Sequence, residues 1–311
     1  MFRLRTLSIA ALMLLVLTAS ACGSAPTPAA SSAAATGAPA PTVTPDSEGV
    51  AVAMAVDFER DLEDFDPSNF SNPTNIGNAW FPLRPGTQWI YEGITEESGR
   101  RTPHRVIFTV TDLVKVIDGV RTVVVWDQDY SADVLVETEL AFFAQDDDGN
   151  VWHLGQYPEV YENRRLVDTP AWIHGFKGAR AGISMKAEPQ LGAPSYSQGW
   201  GPAVNWTDRA QVAEIGQETC VSFDCYEDVL MIEEFSQEEV GAFQLKYYAS
   251  GVGNVRVGWK GADATKETLE LVDLVQLSEE ELAAVRAQAL ELEARAYEIS
   301  KEVYDQTPPA E

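Results

Sequence analysis

The chemistry this sequence offers most openly is oxygen ligation. Asp146-Asp147-Asp148-Gly149-Asn150 sets carboxylates and an amide at alternate positions, as loops that wrap calcium do. An EF-hand loop needs glycine at its sixth position and a bidentate glutamate at its twelfth. Here glycine stands fourth, and Tyr157 occupies the twelfth. An Asp-Gly pair between apolar runs is also a strong hairpin signal, so the stretch reads as a turn. The three histidines, His104, His153 and His174, lie far apart and lack metal-binding spacing. No Gly-x-Ser-x-Gly elbow, phosphate-cradling loop or dinucleotide fingerprint occurs, and Gly251-Val252-Gly253 reads as a turn between aromatic-rich strands. The sequence therefore names no catalytic, cofactor-binding or metal-ligating residue.

Two constellations remain. Trp172, Trp200 and Trp206 lie in a Gly- and Pro-rich stretch over 170–210. They either line a pocket for a sugar or an apolar ligand or plug the open end of a sheet. Among 48 acidic side chains, a carboxylate pair able to hydrolyse a polymer would be invisible in sequence.

The chain has three cysteines, Cys22, Cys220 and Cys225. In an exported protein an odd cysteine needs a partner or a modification, and the N-terminus supplies the context. Arg3 and Arg5 precede an apolar run from Leu7 to Leu17 broken only by Ser8, which is the layout of a signal peptide and too short for a membrane span. Ala19-Ser20-Ala21-Cys22 follows. It suits general signal peptidase, and it also resembles a lipobox whose cysteine takes a diacylglycerol thioether, with Ala19 where a larger aliphatic residue is usual. Lipid on Cys22 leaves Cys220 and Cys225, five apart, as a disulfide pinning a local turn or as two free thiols. From Gly23 to about Val50 the composition of Ala, Pro, Ser, Thr and Gly makes a flexible tether.

The expected organisation is a signal peptide over 1–21, a lipidated cysteine and tether over 22–56, an antiparallel β domain over 57–277 and a helix over 278–305. With 22 basic side chains against 48 acidic ones the net charge is −26, and loss of Arg3 and Arg5 makes it more negative. Nucleic acid and anionic lipid surfaces are poor partners for such a chain. Contact with the membrane is expected through the N-terminal lipid, with soluble secretion as the alternative.

The elements that must position any site are mainly β. Val106, Phe108 and Val110 alternate with Ile107, Thr109 and Thr111, and Val134, Val136, Thr138, Leu140 and Phe142 alternate with Leu135, Glu137, Glu139 and Ala141. Both runs predict strands with one face more buried. Turn residues at Asp118-Gly119, Ser131-Ala132-Asp133, Asp148-Gly149-Asn150 and Glu162-Asn163 join them into a single large meander, a curved sheet or open barrel. Phe58, Leu62 and Phe65 predict a short amphipathic helix before Asp66-Pro67. At the other end Ser278 and Glu281 form a capping box, and Leu282, Val285, Ala289, Leu292, Ala296, Ile299 and Val303 recur at helical spacing up to Pro308-Pro309. Such a helix docks on its own sheet, self-associates, or takes another partner.

The stretch from Phe70-Ser71-Asn72-Pro73 through Asn78-Ala79-Trp80-Phe81-Pro82-Leu83-Arg84-Pro85-Gly86-Thr87-Gln88-Trp89-Ile90-Tyr91-Glu92-Gly93 resembles a family of bacterial secreted proteins and lipoproteins. Members carry a phrase like N-x-[YWF]-[FL]-P-L-x-P-G-T-x-W-x-Y-E-G. Further echoes are Ala144 to Trp152, Gly182-Ile183-Ser184-Met185 and Tyr247-Tyr248-Ala249-Ser250-Gly251-Val252-Gly253. The resemblance implies an architecture and an extracytoplasmic location and carries no reaction. The phrase itself reads as structural, with Pro82 and Pro85 extending the chain and Trp89 and Tyr91 on one strand face. The leading expectation is a non-enzymatic binding or envelope-accessory domain with a small-molecule or envelope-protein partner. A carboxylate-dependent hydrolase of envelope polymers and a structural protein assembling through its helix are the alternatives.

Overall fold

The computed structural model describes Phe58 and residues 60–311; the signal peptide, Cys22 and the tether lie outside the described residues. The first half of the fold is a long antiparallel meander of β1 (Thr87–Glu97), β2 (Arg100–Ile117), β3 (Val120–Ser131), β4 (Val134–Gln145) and β5 (Val151–Glu162). Its tight turns use positive φ at both central residues, 47° and 77° at Asp118-Gly119 and 48° and 62° at Ala132-Asp133. That geometry matches the right-handed twist of the flanking strands. The stretch over 170–210 is largely irregular, and the short pieces β6 (Arg165–Asp168), β7 (Trp172–Ile173) and β8 (Arg180–Met185) precede or thread it and pair with β5. Two-residue strands β9 (Tyr196–Ser197) and β10 (Gly199–Trp200) follow. A second meander comprises β11 (Arg209–Cys220), β12 (Cys225–Phe235), β13 (Ala242–Ala249), β14 (Gly253–Gly261) and β15 (Thr268–Gln276).

β15 pairs with β1 and fuses the two meanders into one fifteen-stranded sheet. At that seam a Cβ on Gly93 would fall 1.8 Å from the Thr268 carbonyl oxygen, so only glycine lets the strands approach. The hydrogen-bonded order begins at β10 and ends at β9, which are separated in the chain by Gln198 alone. Tyr196 and Ser197 pair with β11, and Gly199 and Trp200 pair with β8. The sheet does not close as a ladder, yet it curls until both edges meet in this one segment. Cys220 and Cys225 face each other at the end of the β11–β12 hairpin and are bonded.

The C-terminal helix forms as its signals require. Ser278 accepts from the Glu281 amide while Glu281 accepts from the Ser278 amide, and α1 runs Glu279–Ile299. Val285, Ala289, Leu292 and Ala296 are buried against the meander, on the face of Val124, Leu140, Phe142 and Tyr157. The seam that sequence alone left open to self-association is thus used within the chain. The expected single helix over 278–305 is interrupted at Ser300, and α2 (Lys301–Tyr304) turns Tyr304 onto Phe142 and Tyr157. The tail then pairs through Glu311 with Val114.

The helix expected over Phe58–Phe65 does not form among the described residues, which run as turns and extended chain. Phe58 packs on Phe235, and Phe65 sits among Phe70, Trp152 and His174. The Asp61 carbonyl, which a helix would use internally, accepts from Arg209 instead. So short a helix is marginal by itself, and these tertiary contacts outweigh it.

Candidate functional site

Curling turns one face of the sheet inward, and alternation decides what stands there. On β2 it is His104, Val106 and Phe108; across the ladder, Asp129 faces Val106 and Asp127 faces Phe108. On β4, Glu139 faces Asp127 and Glu137 faces Asp129. The opposing wall brings Glu234 of β12 and Gln244, Lys246 and Tyr248 of β13, with Glu267 just before β15. Asp127, Asp129, Glu139, Glu234 and Glu267 are each at most 6% exposed. The His104 ring lies between two of them, Nε2 at 2.8 Å from Glu267 and Nδ1 at 3.4 Å from Asp129. Gln244 donates to the other Glu267 oxygen at 2.6 Å, Lys246 pairs with Glu234 at 2.7 Å, and Gln198 donates to Glu234 at 2.8 Å.

Burial sets the protonation of this wall. Taking a carboxylate out of water penalises its charged form, and Asp127 is pushed up to about 7 by burial, with Glu267 adding repulsion. Asp129 is raised well above the usual carboxylate range by burial and then by the charges of Glu267, Glu137 and Asp127. Unfolded, Asp127 ionises near 3.8; folded, it keeps its proton to about 7, so the folded state binds more protons between these values. The stability from that proton is complete below the unfolded value and disappears as pH rises through the folded one. Asp127→Asn is therefore expected to match the parent near pH 4 and to exceed its stability at pH 8 by about 2–4 kcal/mol in urea denaturation. Equal stability at pH 8 would refute this environment.

Beside the carboxylates the interior turns aromatic. A narrow crevice is lined by Phe81, Trp89, Tyr91, Phe108, Tyr248, Lys246, Gly253 and Asn254. Its walls are tied in place. Trp89 Nε1 donates to the Val252 carbonyl and the Tyr91 hydroxyl to the Asn254 carbonyl, both at 2.8 Å. Phe81 lies edge-on to Tyr248 and Phe143. The Asn254 Oδ1 is buried there with no hydrogen-bond partner.

The tryptophans singled out from the sequence do not line this crevice. Trp172 and Trp206 are buried and stack on each other at 6.0 Å, with His153 edge-on to both. Burial lowers His153 to about 3, so its ring is neutral. Trp200 is half-buried on β10. His174 accepts from the Ala181 amide, far from His104, and no three His, Cys, Asp or Glu side chains among the described residues converge on a metal position. In the acidic turn, Asp146 accepts from the Asn150 amide, the Asn150 side chain and the Trp152 indole, so its oxygens organise a hairpin.

Sequence reasoning passed over the interior acids. Glu137 and Glu139 alternate with apolar residues as a solvent-facing edge would, yet Glu139 is 3% exposed. A signal was present in Ala141-Phe142-Phe143, since consecutive large apolar residues on a strand mean that both faces are covered. The stretch 78–93, read as structural, and the echo at 247–253 meet at the crevice through Phe81, Trp89, Tyr91, Tyr248 and Gly253.

No protein-family model and no curated protein matches the chain. Two solved structures resemble it. One is described as an exported protein with a YmcC-like fold from Bacteroides fragilis NCTC 9343, 11% identical, with a TM-score of 0.36 over 64% of this chain and 99% of that one. The other is described as a lipoprotein from Parabacteroides distasonis ATCC 8503, 12% identical, with a TM-score of 0.30 over 63% of this chain and 97% of that one. Likeness at this level assigns the chain neither a fold name nor an activity.

Proposed function

We propose that this chain is a non-enzymatic binding domain held outside the cytoplasm by a lipid on Cys22, and that its ligand enters the curled sheet at the aromatic crevice. The observation that carries the reading is the crevice itself, where five aromatic side chains surround a buried and unpartnered Asn254 oxygen. Binding sites are typically concave, mostly apolar and marked by a few placed polar groups. Export rests on the charged, apolar and small-residue layout of residues 1–22 and on the odd cysteine, since Cys220 and Cys225 are bonded to each other.

The carboxylate pairs favour hydrolysis less than binding. Asp127 and Glu139 face each other across the ladder, but both are buried inside the sheet, whereas a polymer must lie in an open groove to reach such a pair. Two experiments test the proposal. Cys22→Ser is expected to release the chain from the membrane fraction; unchanged fractionation removes the anchor. Titration of that full-length variant with neutral N-phenyl-1-naphthylamine is expected to saturate at one site and to quench Trp89, read as the difference from a second variant carrying Trp89→Phe. Unsaturable uptake removes the site.

A further inference from the structure

We infer that the outer half of the β11–β12 hairpin is a hinged flap seated on a gap between β14 and β15 and, resting on the reading above, that it lifts to admit the ligand. Four features of the hairpin lead there: its pairing, its bend, its seat and its charge.

Halfway along, the hairpin leaves the sheet. β13 pairs with β12 over 230–234, and β9 pairs with β11 at Arg209 and Ala210. Residues 225–229 of β12 and the facing part of β11 therefore form a two-stranded ribbon with no third strand among the described residues. A ribbon of two strands is marginal by itself.

The ribbon is bent where it leaves. Its register shifts between Val212 and Glu214, between Ile215 and Gln217 and between Gln217 and Thr219, with left-handed backbone at Gly216 (φ 80°) and Asp228 (φ 53°). Bulges interrupt a ladder and concentrate bending. Glu214, Ile215, Gly216, Glu227 and Asp228 are exposed, so the bend meets little packing. Past it the Cys220–Cys225 bond joins the two strands, and the tip moves as one piece.

The tip reaches back past β13 and β14 to β15. There the Leu271 carbonyl accepts from the Phe223 amide at 3.2 Å, and Glu270 accepts from the Ser222 hydroxyl at 3.4 Å. This seat is a gap in the wall. β14 and β15 pair at Arg256 with Glu270 and at Val257 with Leu269; the same register would join Val255 to Leu271, and that pair is not made. The crevice lies behind it, since Tyr91 pairs with Leu271 and donates its hydroxyl to the carbonyl of Asn254, the neighbour of Val255. Val221 and Tyr226 are half-buried against the core here, while Ser222, Phe223 and Asp224 are exposed, so the tip is held lightly. Over 214–229 the ribbon carries five carboxylates and no basic side chain, and against Glu270 their charge favours lifting.

The test is amide relaxation dispersion, which reads motion on the μs–ms scale, on the full-length Cys22→Ser chain. Residues 217–229 and the seat at Leu271 and Val272 are expected to share one exchange process that is absent from 230–235. The double variant Ser222→Ala, Phe223→Pro deletes both tip donors and is expected to raise the open population about fivefold. Glu270→Ala, which deletes one acceptor from the sheet side, is the second variant should the turn be disturbed, with a rise of about twofold. The stopped-flow rate of N-phenyl-1-naphthylamine uptake should rise in proportion. A ribbon without exchange, or exchange that neither variant moves, would overturn the flap. Exchange that responds while the uptake rate stays constant would overturn its role as a gate. Unsaturable uptake by every protein would overturn the crevice instead, and the dispersion would still decide the flap.

Discussion

Ending the chain after Leu277 is expected to lower its unfolding free energy by more than about 5 kcal/mol, most of what an ordinary domain possesses. The reason is the face that α1 and α2 cover. Val124, Leu140, Phe142 and Tyr157 are each at most 1% exposed beneath the helices. The helices bury Val285, Ala289, Leu292, Ala296, Val303 and Tyr304 in return. Full burial of one large aliphatic or aromatic side chain stabilises by about 1.5–3 kcal/mol, so several are lost together on both sides of the contact. Truncation also removes the hydrogen-bond acceptors of the Lys115 ammonium on Glu293, Tyr297 and Pro308 and leaves it on the exposed sheet. Urea denaturation and dye binding to exposed apolar surface measure the loss. An unchanged midpoint, with a dimer present in light scattering before truncation and absent after it, would mean that the helix serves assembly instead.

Glu293→Ala is expected to cost about 3–5 kcal/mol by itself, because it leaves a buried ammonium without its counter-charge. Lys115 Nζ lies 2.8 Å from Glu293 Oε1 and has no exposed side-chain surface. It also donates to the Tyr297 hydroxyl and the Pro308 carbonyl, and it stands 4.7 Å from the Tyr304 ring centroid. Burial lowers Lys115 below the ordinary lysine range, and Glu293 opposes that shift. A lysine with a lowered folded value releases its proton before the unfolded chain does, so folding is favoured as pH rises through that interval. Without Glu293 the interval widens, and the deficit should shrink toward pH 10. The double variant Lys115→Met, Glu293→Leu, which removes both charges and keeps volume, is expected within about 1–2 kcal/mol of the parent. A double variant as unstable as Glu293→Ala would show that the pair contributes more than the removal of its own desolvation penalty.

The contrast between these two buried ionic regions explains much of what could be read in advance. The helix announced itself through Ser278, Glu281 and the spacing of Val285, Ala289, Leu292 and Ala296, because capping and 3.6-residue periodicity are local. The turns at Asp118-Gly119 and Ala132-Asp133 were equally local, since a two-residue connection must adopt positive φ. By contrast, the helix expected from Phe58, Leu62 and Phe65 was lost to contacts with Phe235, Arg209 and Trp152, all distant in the chain.

The crevice and the acids beside it belong to the same distant class. Phe81, Trp89 and Tyr91 stand about 160 residues from Tyr248 and Asn254, and only the pairing of β15 with β1 brings the two groups together. Glu139 carries the residue type of a solvent face and is buried because the sheet curls until its two edges meet at Tyr196–Trp200. Alternation along a strand states which residues share a face. It does not state whether that face meets water, a helix or the opposite wall, because that depends on curvature summed over fifteen strands. Sequence by itself determined the strands, the turns, the capped helix and the expectation of export; tertiary structure alone decided that the polar faces look inward, and with it where a ligand would go.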